Sequence, residues 1–221
     1  MPVEVCHYRL SVRGKPVGSH TLSTDHRGRT TILDAKLMLQ GRGPLRSATV
    51  TQQSKVHRQQ FFSFSFQEKS VEGSDTRTFE VMFDLEAGQV VAKRNRDEAT
   101  VPYVQAFEDP LGLLHHIRSL GPEETTLRVP MLGKDVVVER VGETEVETAL
   151  GKRSAHAYTL QPGGSYIYVD TQAPNLILMM RQRFDGQLLD AHLVRVDEEA
   201  EAPRESGSRR KRRRRRRKRK N

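Results

Sequence analysis

Twelve consecutive bases stand near the end of the chain: Arg209, Arg210, Lys211, Arg212, Arg213, Arg214, Arg215, Arg216, Arg217, Lys218, Arg219 and Lys220. Their chemistry is phosphate recognition. Each phosphate neutralised on a nucleic acid releases condensed counterions, so full engagement of twelve bases gives a log K against log salt slope steeper than about −8. Nine of the twelve are arginine, whose planar fork pairs a phosphate through two hydrogen bonds and stacks on exposed bases. No aromatic residue interleaves the block. The expected binding therefore follows charge and shape, with little choice of base sequence. The same block also suits an anionic membrane surface, where each Lys or Arg contributes roughly 1 kcal/mol.

Elsewhere the residue types argue against catalysis. The G-x-S-x-G elbow that exposes a nucleophilic serine is missing. Cys6 is the single cysteine, so an internal disulfide and a zinc site built on paired cysteines are both excluded. It shares a strand face with Tyr8 and Leu10, which predicts a buried, inert thiol. The eight histidines (His7, His20, His26, His57, His115, His116, His156 and His192) contain no metal-binding helical pair, and adjacent His115 and His116 project about 100° apart on a helix. Glu143, Glu145 and Glu147 alternate along one strand face and read as solvated. Gly41-Arg42-Gly43-Pro44 reads as a turn and not as a phosphate loop. The expectation is a non-enzymatic protein with no catalytic residue, no metal and no cofactor.

These residues must be carried on some frame, and the charge locates it. The chain has 221 residues, 37 bases and 28 acids; with the block removed, 25 bases face the same 28 acids. A net charge of +9 thus divides into +12 over the block and −3 over everything else. Period-2 alternation fills the acidic part. Strands are predicted over 3–12, 19–24, 30–40, 47–56, 60–67, 76–84 and 89–94. After a break come 125–131, 135–141, 143–148, 154–160, 165–170, 176–183 and 187–196. Gly and Pro turns separate nearly all of them, which predicts a large curved antiparallel sheet or half-barrel.

One segment departs from the pattern. Asp109 is an N-cap followed by Pro110 at the first helical position, Leu113, Leu114, Ile117 and Leu120 recur at helical spacing, and Gly121-Pro122 stops the element. A single central amphipathic helix of about three turns against the sheet is expected. From Asp197 to Ser208 the chain turns acidic, then small and polar, and buries too little to offset its ordering entropy. The predicted organisation is one curved β domain over 1–196, a disordered linker over 197–208 and a disordered polybasic tail over 209–221. No window approaches the roughly 18 apolar residues of a membrane span. The N-terminus shows no apolar signal stretch, so the expected compartment is the cytoplasm.

Several landmarks also occur in a characteristic order. Tyr8-Arg9-Leu10-Ser11-Val12 opens, with Gly14 and Val17-Gly18 in its turn. Asp109-Pro110-Leu111 and Ile117-Arg118 mark the helix. Then come Gly133-Lys134-Asp135, Val146 to Lys152, Tyr166-Ile167-Tyr168-Val169-Asp170 before Pro174, and Phe184 to Leu188. On these the body, roughly residues 3–196, resembles the bacterial domain-of-unknown-function family number 3108. That resemblance implies a curved antiparallel half-barrel similar in outline to lipoprotein-carrier proteins. Family members typically look like exported envelope proteins; here no export signal is expected from the sequence 1–18, and a basic block is added. The resemblance brings no catalytic residue.

Phe61, Phe62, Phe64, Phe66, Phe79, Phe83 and Leu176 to Met180 supply apolar surface for a core beneath the helix, or for a cavity holding an apolar ligand. The leading expectation is a protein that associates with DNA or RNA through Arg209 to Lys220, the β domain giving a second contact to protein or ligand. The alternative is a half-barrel that binds lipid or another apolar ligand and docks its tail on anionic membrane. The sequence leaves the oligomeric state open.

Overall fold

The structure is a computed structural model, which describes residues 2–41, 45–131 and 133–199. The N-terminal strands are β1 (Val3–Val12), β2 (Lys15–Arg27), β3 (Thr30–Gln40), β4 (Ser47–His57), β5 (Ser63–Glu72), β6 (Asp75–Asp84), β7 (Gln89–Arg94) and β8 (Asp97–Pro102). After helix α1 (Pro110–Ile117) come β9 (Thr126–Met131), β10 (Lys134–Thr148), β11 (Gly151–Gln161), β12 (Ser165–Asp170), β13 (Ile177–Phe184) and β14 (Gln187–Glu199). These fourteen strands form one antiparallel sheet in the order β8-β7-β6-β5-β4-β3-β2-β1-β14-β13-β12-β11-β10-β9. The first and last strands are therefore neighbours at its centre, and the two meanders run outward from them as wings.

The curl has a local cause. Register shifts interrupt the ladders at His7/Tyr8, Leu10/Ser11, Lys55/Val56, Arg140/Gly142 and Tyr168/Val169. Each inserts an extra residue that bends its strand and adds twist, so the sheet rolls toward itself. The connection from β8 to β9 then crosses the open side. Phe107 accepts from the Ser63 amide (2.8 Å) on the N-terminal wing, and the Glu108 amide donates to Pro130 (3.0 Å) on the C-terminal wing. The helix beyond it lies against the concave face, burying Leu111, Leu113 and Ile117.

Two apolar clusters result. One joins Tyr8, Leu10, Leu193, Leu189, Tyr158, Val138, Leu113 and Ile117 on the C-terminal side. The other gathers Leu33, Val56, Phe66, Val81, Phe83, Phe107 and Leu111 on the N-terminal side. Leu22 and Leu114 touch both.

Several expectations are corrected in detail. The segments 135–141 and 143–148 are one strand, β10, because Gly142 sits at a bulge instead of a turn. The bulge exchanges faces: Arg140 stands opposite Tyr158, and Gly142 opposite Ala157. Strand β8 falls where the sequence predicts none; all six of its residues are exposed, so it carries no alternation to read. The helix ends at Ile117, and Leu120 is reached through a tightened turn in which its amide donates to Ile117 (3.3 Å). The last strand continues past Val196 to Glu199, where Asp197, Glu198 and Glu199 pair with Val5, Glu4 and Val3. Asp197 is held there by His7 (3.0 Å) and Arg195 (2.8 Å), so residues 197–199 belong to the sheet and not to the predicted linker. Residues 200–208 and the block Arg209 to Lys220 lie outside the described residues.

Candidate functional site

Asp109 organises the polar ground beneath the helix. Its Oδ1 accepts from the amides of Leu111 (2.9 Å) and Gly112 (3.0 Å), as an N-cap should. Its Oδ2 accepts from the hydroxyls of Ser54 on β4 and Ser63 on β5, the latter at 2.5 Å. Burial pushes this carboxyl up from its ordinary range, while the four donors pull it back. Both oxygens are doubly engaged, so Asp109 is a structural anchor.

Glu108 and His116 form the neighbouring pair at 2.8 Å. Burial raises the Glu108 carboxyl and His116 opposes it. Phe61 stacks on the His116 ring at 4.1 Å, held there by a backbone φ of 59° in the left-handed region. His115 meets the edge of the same Phe61 ring (5.7 Å) and the His26 ring (5.5 Å), and burial lowers it to about 4. At the helix end Arg118 donates twice to Glu4 (2.6 and 3.1 Å) and also to the carbonyls of Asn175 (3.0 Å) and Pro174 (3.2 Å). Burial works against the guanidinium, but Glu4 outweighs it and holds the Arg118 pKa above its usual value. This network staples helix to sheet. Cys6 lies beside it, its thiol pushed up to about 12 mainly by burial, which leaves it unreactive. Among the described residues no group of three or more His, Cys, Asp or Glu side chains is placed to hold a metal ion.

The space that could take a ligand lies on the other side of the helix. A cavity of about 670 Å³ occupies the concave face, within the roughly 300–1,000 Å³ of small-molecule sites. Its apolar wall comes from Leu10 on β1, Leu189 and Ala191 on β14, Met180 on β13, Ile167 on β12, Leu160 on β11 and Val136 on β10, with Leu111, Leu113 and Leu114 of the helix closing one end. The opposite wall, on β4 to β6, carries Gln52, Glu68, Ser70 and Arg77 beside Val50 and Val71. Register explains that patch: Gln52 stands directly opposite Glu68, and Ser70 directly opposite Arg77. The Gln52 amide donates to Glu68 Oε2 at 2.7 Å. His20 also lines the space, and burial keeps its imidazole near 4, hence neutral.

Of the six phenylalanines and the run Leu176 to Met180 expected to supply its surface, Met180 alone lines this cavity. Phe66, Phe79 and Phe83 belong to the N-terminal core, Phe62 stacks on His57 at 5.1 Å, and Leu176 to Met179 are buried in succession. Lining residues such as Ala35, Leu37, Ala48 and Leu160 give no signal in the sequence, because each is one ordinary inward position of its strand. Knowing which strands face one another across the curl is what reveals them.

The family described as "Protein of unknown function (DUF3108)" matches residues 7–201. A comparison with curated proteins returns no match. Among solved structures, the crystal structure of a β-barrel-like protein of domain of unknown function DUF1849 from Brucella abortus is similar with a TM-score of 0.58. That likeness covers 89% of this chain and 98% of the other at 10% identity, and it concerns the fold alone.

Proposed function

We propose that this chain, which belongs to the DUF3108 family of proteins of unknown function, is a non-enzymatic half-barrel that binds an apolar ligand on its concave face. The observation that carries the reading is the cavity of about 670 Å³, walled by strands of both wings and closed at one end by leucines of the helix. A sheet that needed only a core would fill this space with side chains, because close packing is the general rule of protein interiors. The inward residues on β3 and β4 include Ala35 and Ala48, small where a filled core would carry bulk.

Filling the space tests the reading. Ala48 is half-buried and faces the cavity, so Ala48→Trp occupies it without opening a void elsewhere. The variant is expected to lose at least tenfold in affinity for a fluorescent apolar probe such as an anilinonaphthalene, with Tm near that of the parent. Unchanged probe binding in a folded variant contradicts the cavity as the binding site.

The polybasic tail supports a second reading. Arg209 to Lys220 would attach the protein to DNA or RNA by charge, the β domain riding on that attachment. Deleting 209–221 should abolish retention on nucleic acid at moderate salt while the body stays folded. Equal retention by the shortened chain rules the tail out. Retention on anionic vesicles in place of nucleic acid assigns the tail to membrane.

A further inference from the structure

The asymmetry of the cavity walls narrows the class of ligand, an inference that rests on the reading of the cavity as a ligand site. We propose that the ligand is a single-chain amphiphile with a zwitterionic head: its chain lies along the apolar wall, its ammonium meets Glu68, and its phosphate or carboxylate meets Arg77. The apolar wall is continuous from Leu10 across β14 and β13 to Val136. Charged lining stands on both walls: Lys134 and Arg181 on the C-terminal wing, and on the facing wall Glu72, Glu68 and Arg77, the last two diagonal neighbours on adjacent strands.

Each charge is available for a ligand. Glu68 has one oxygen on Gln52, and that bond fixes the carboxylate while leaving Oε1 to accept from an ammonium. Among the described residues no ion pair joins Arg77 to Glu68 or to another acid. Glu68 is half-buried and Arg77 is exposed at the edge of the cavity, so each keeps bonding capacity that no ion pair among the described residues takes up. Arg181 also lines the cavity, but it is neutralised by two bonds to Asp190 (2.6 and 3.0 Å). A purely anionic head would meet Glu68 as a repulsive neighbour, and an uncharged head would gain from neither charge. A head carrying both signs about one residue spacing apart satisfies the pair.

The test uses the full chain and three probes of equal chain length: lysophosphatidylethanolamine, lysophosphatidic acid and a monoacylglycerol. Binding is read by displacement of the apolar fluorescent probe, so that charge held by the basic tail does not enter the signal. The zwitterion should displace the probe about tenfold more tightly than the monoacylglycerol, the worth of one charge-assisted hydrogen bond. Glu68→Gln should lose about that factor for the zwitterion and not for lysophosphatidic acid. Arg77→Gln should weaken both charged probes. Equal displacement by all three, with both variants inert, overturns the zwitterionic head while leaving the apolar site standing. A clear preference for lysophosphatidic acid does the same. Failure of the apolar probe itself to bind overturns the cavity as a ligand site, and the head-group assignment with it.

Discussion

Asp109 shows how a residue can look functional and prove architectural. It is an acid beside a histidine-bearing helix, buried, with a carboxyl pushed above its ordinary range. All of its bonding is nevertheless spent on two helix amides and two serine hydroxyls. Removing it strands four donors at once. Asp109→Ala should cost about 2–4 kcal/mol, combining a lost N-cap with buried hydroxyls left unsatisfied. Urea unfolding would measure this as a lower midpoint at unchanged slope, and a loss below about 0.5 kcal/mol would contradict the anchor. Half of the motif is legible in the sequence. The N-cap follows from Asp-Pro ahead of a leucine pattern, whereas Ser54 and Ser63 lie 55 and 46 positions away. Only the curl of the sheet brings them beneath the helix. The same holds for Arg118, whose partner Glu4 is 114 residues distant.

The elements follow from alternation, and their exceptions follow from its failure. Strands such as 3–12, 30–40, 89–94 and 165–170 end where the turn residues place them, because one face is buried and the register is set by it. Strand β8 has no buried face and gives no such signal. Strand β10 reads as two in the sequence because a glycine in a bulge resembles a glycine in a turn until the partner strand is known. Gly18 carries a different constraint. It stands opposite Leu10 and Leu39, and a Cβ there would lie 1.9 Å from the carbonyl oxygen of Met38. That oxygen is backbone, so the ladder between β2 and β3 must part. Gly18→Ala should therefore destabilise by about 3 kcal/mol, whereas Gly121→Ala, whose nearest contact is a glutamate tip at 3.5 Å, should stay within about 0.5 kcal/mol. Equal midpoints for the two variants would refute the close approach.

At the scale of the molecule, sheet order turns a chain of local strands into a container. The termini of the described sheet meet at its centre, the wings curl toward each other, and the helical crossover closes one end. The sequence announces a curved antiparallel sheet, since so many short strands with frequent turns allow few other architectures. It leaves a cavity as one alternative to a filled core, because the choice depends on inward residues from both wings meeting across empty space. Charge divides the chain a second way: residues 1–208 and 221 together carry −3 and the block Arg209 to Lys220 carries +12. Everything proposed for the body turns on its holding a ligand. Native mass spectrometry of the full chain, after gentle purification without detergent, reads this at first hand. A ligand-holding body should show a population heavier than the apo mass by one lipid-sized adduct, and Ala48→Trp should abolish it. A clean apo mass for the parent, together with no uptake of added amphiphile, would mean that the concave face holds nothing.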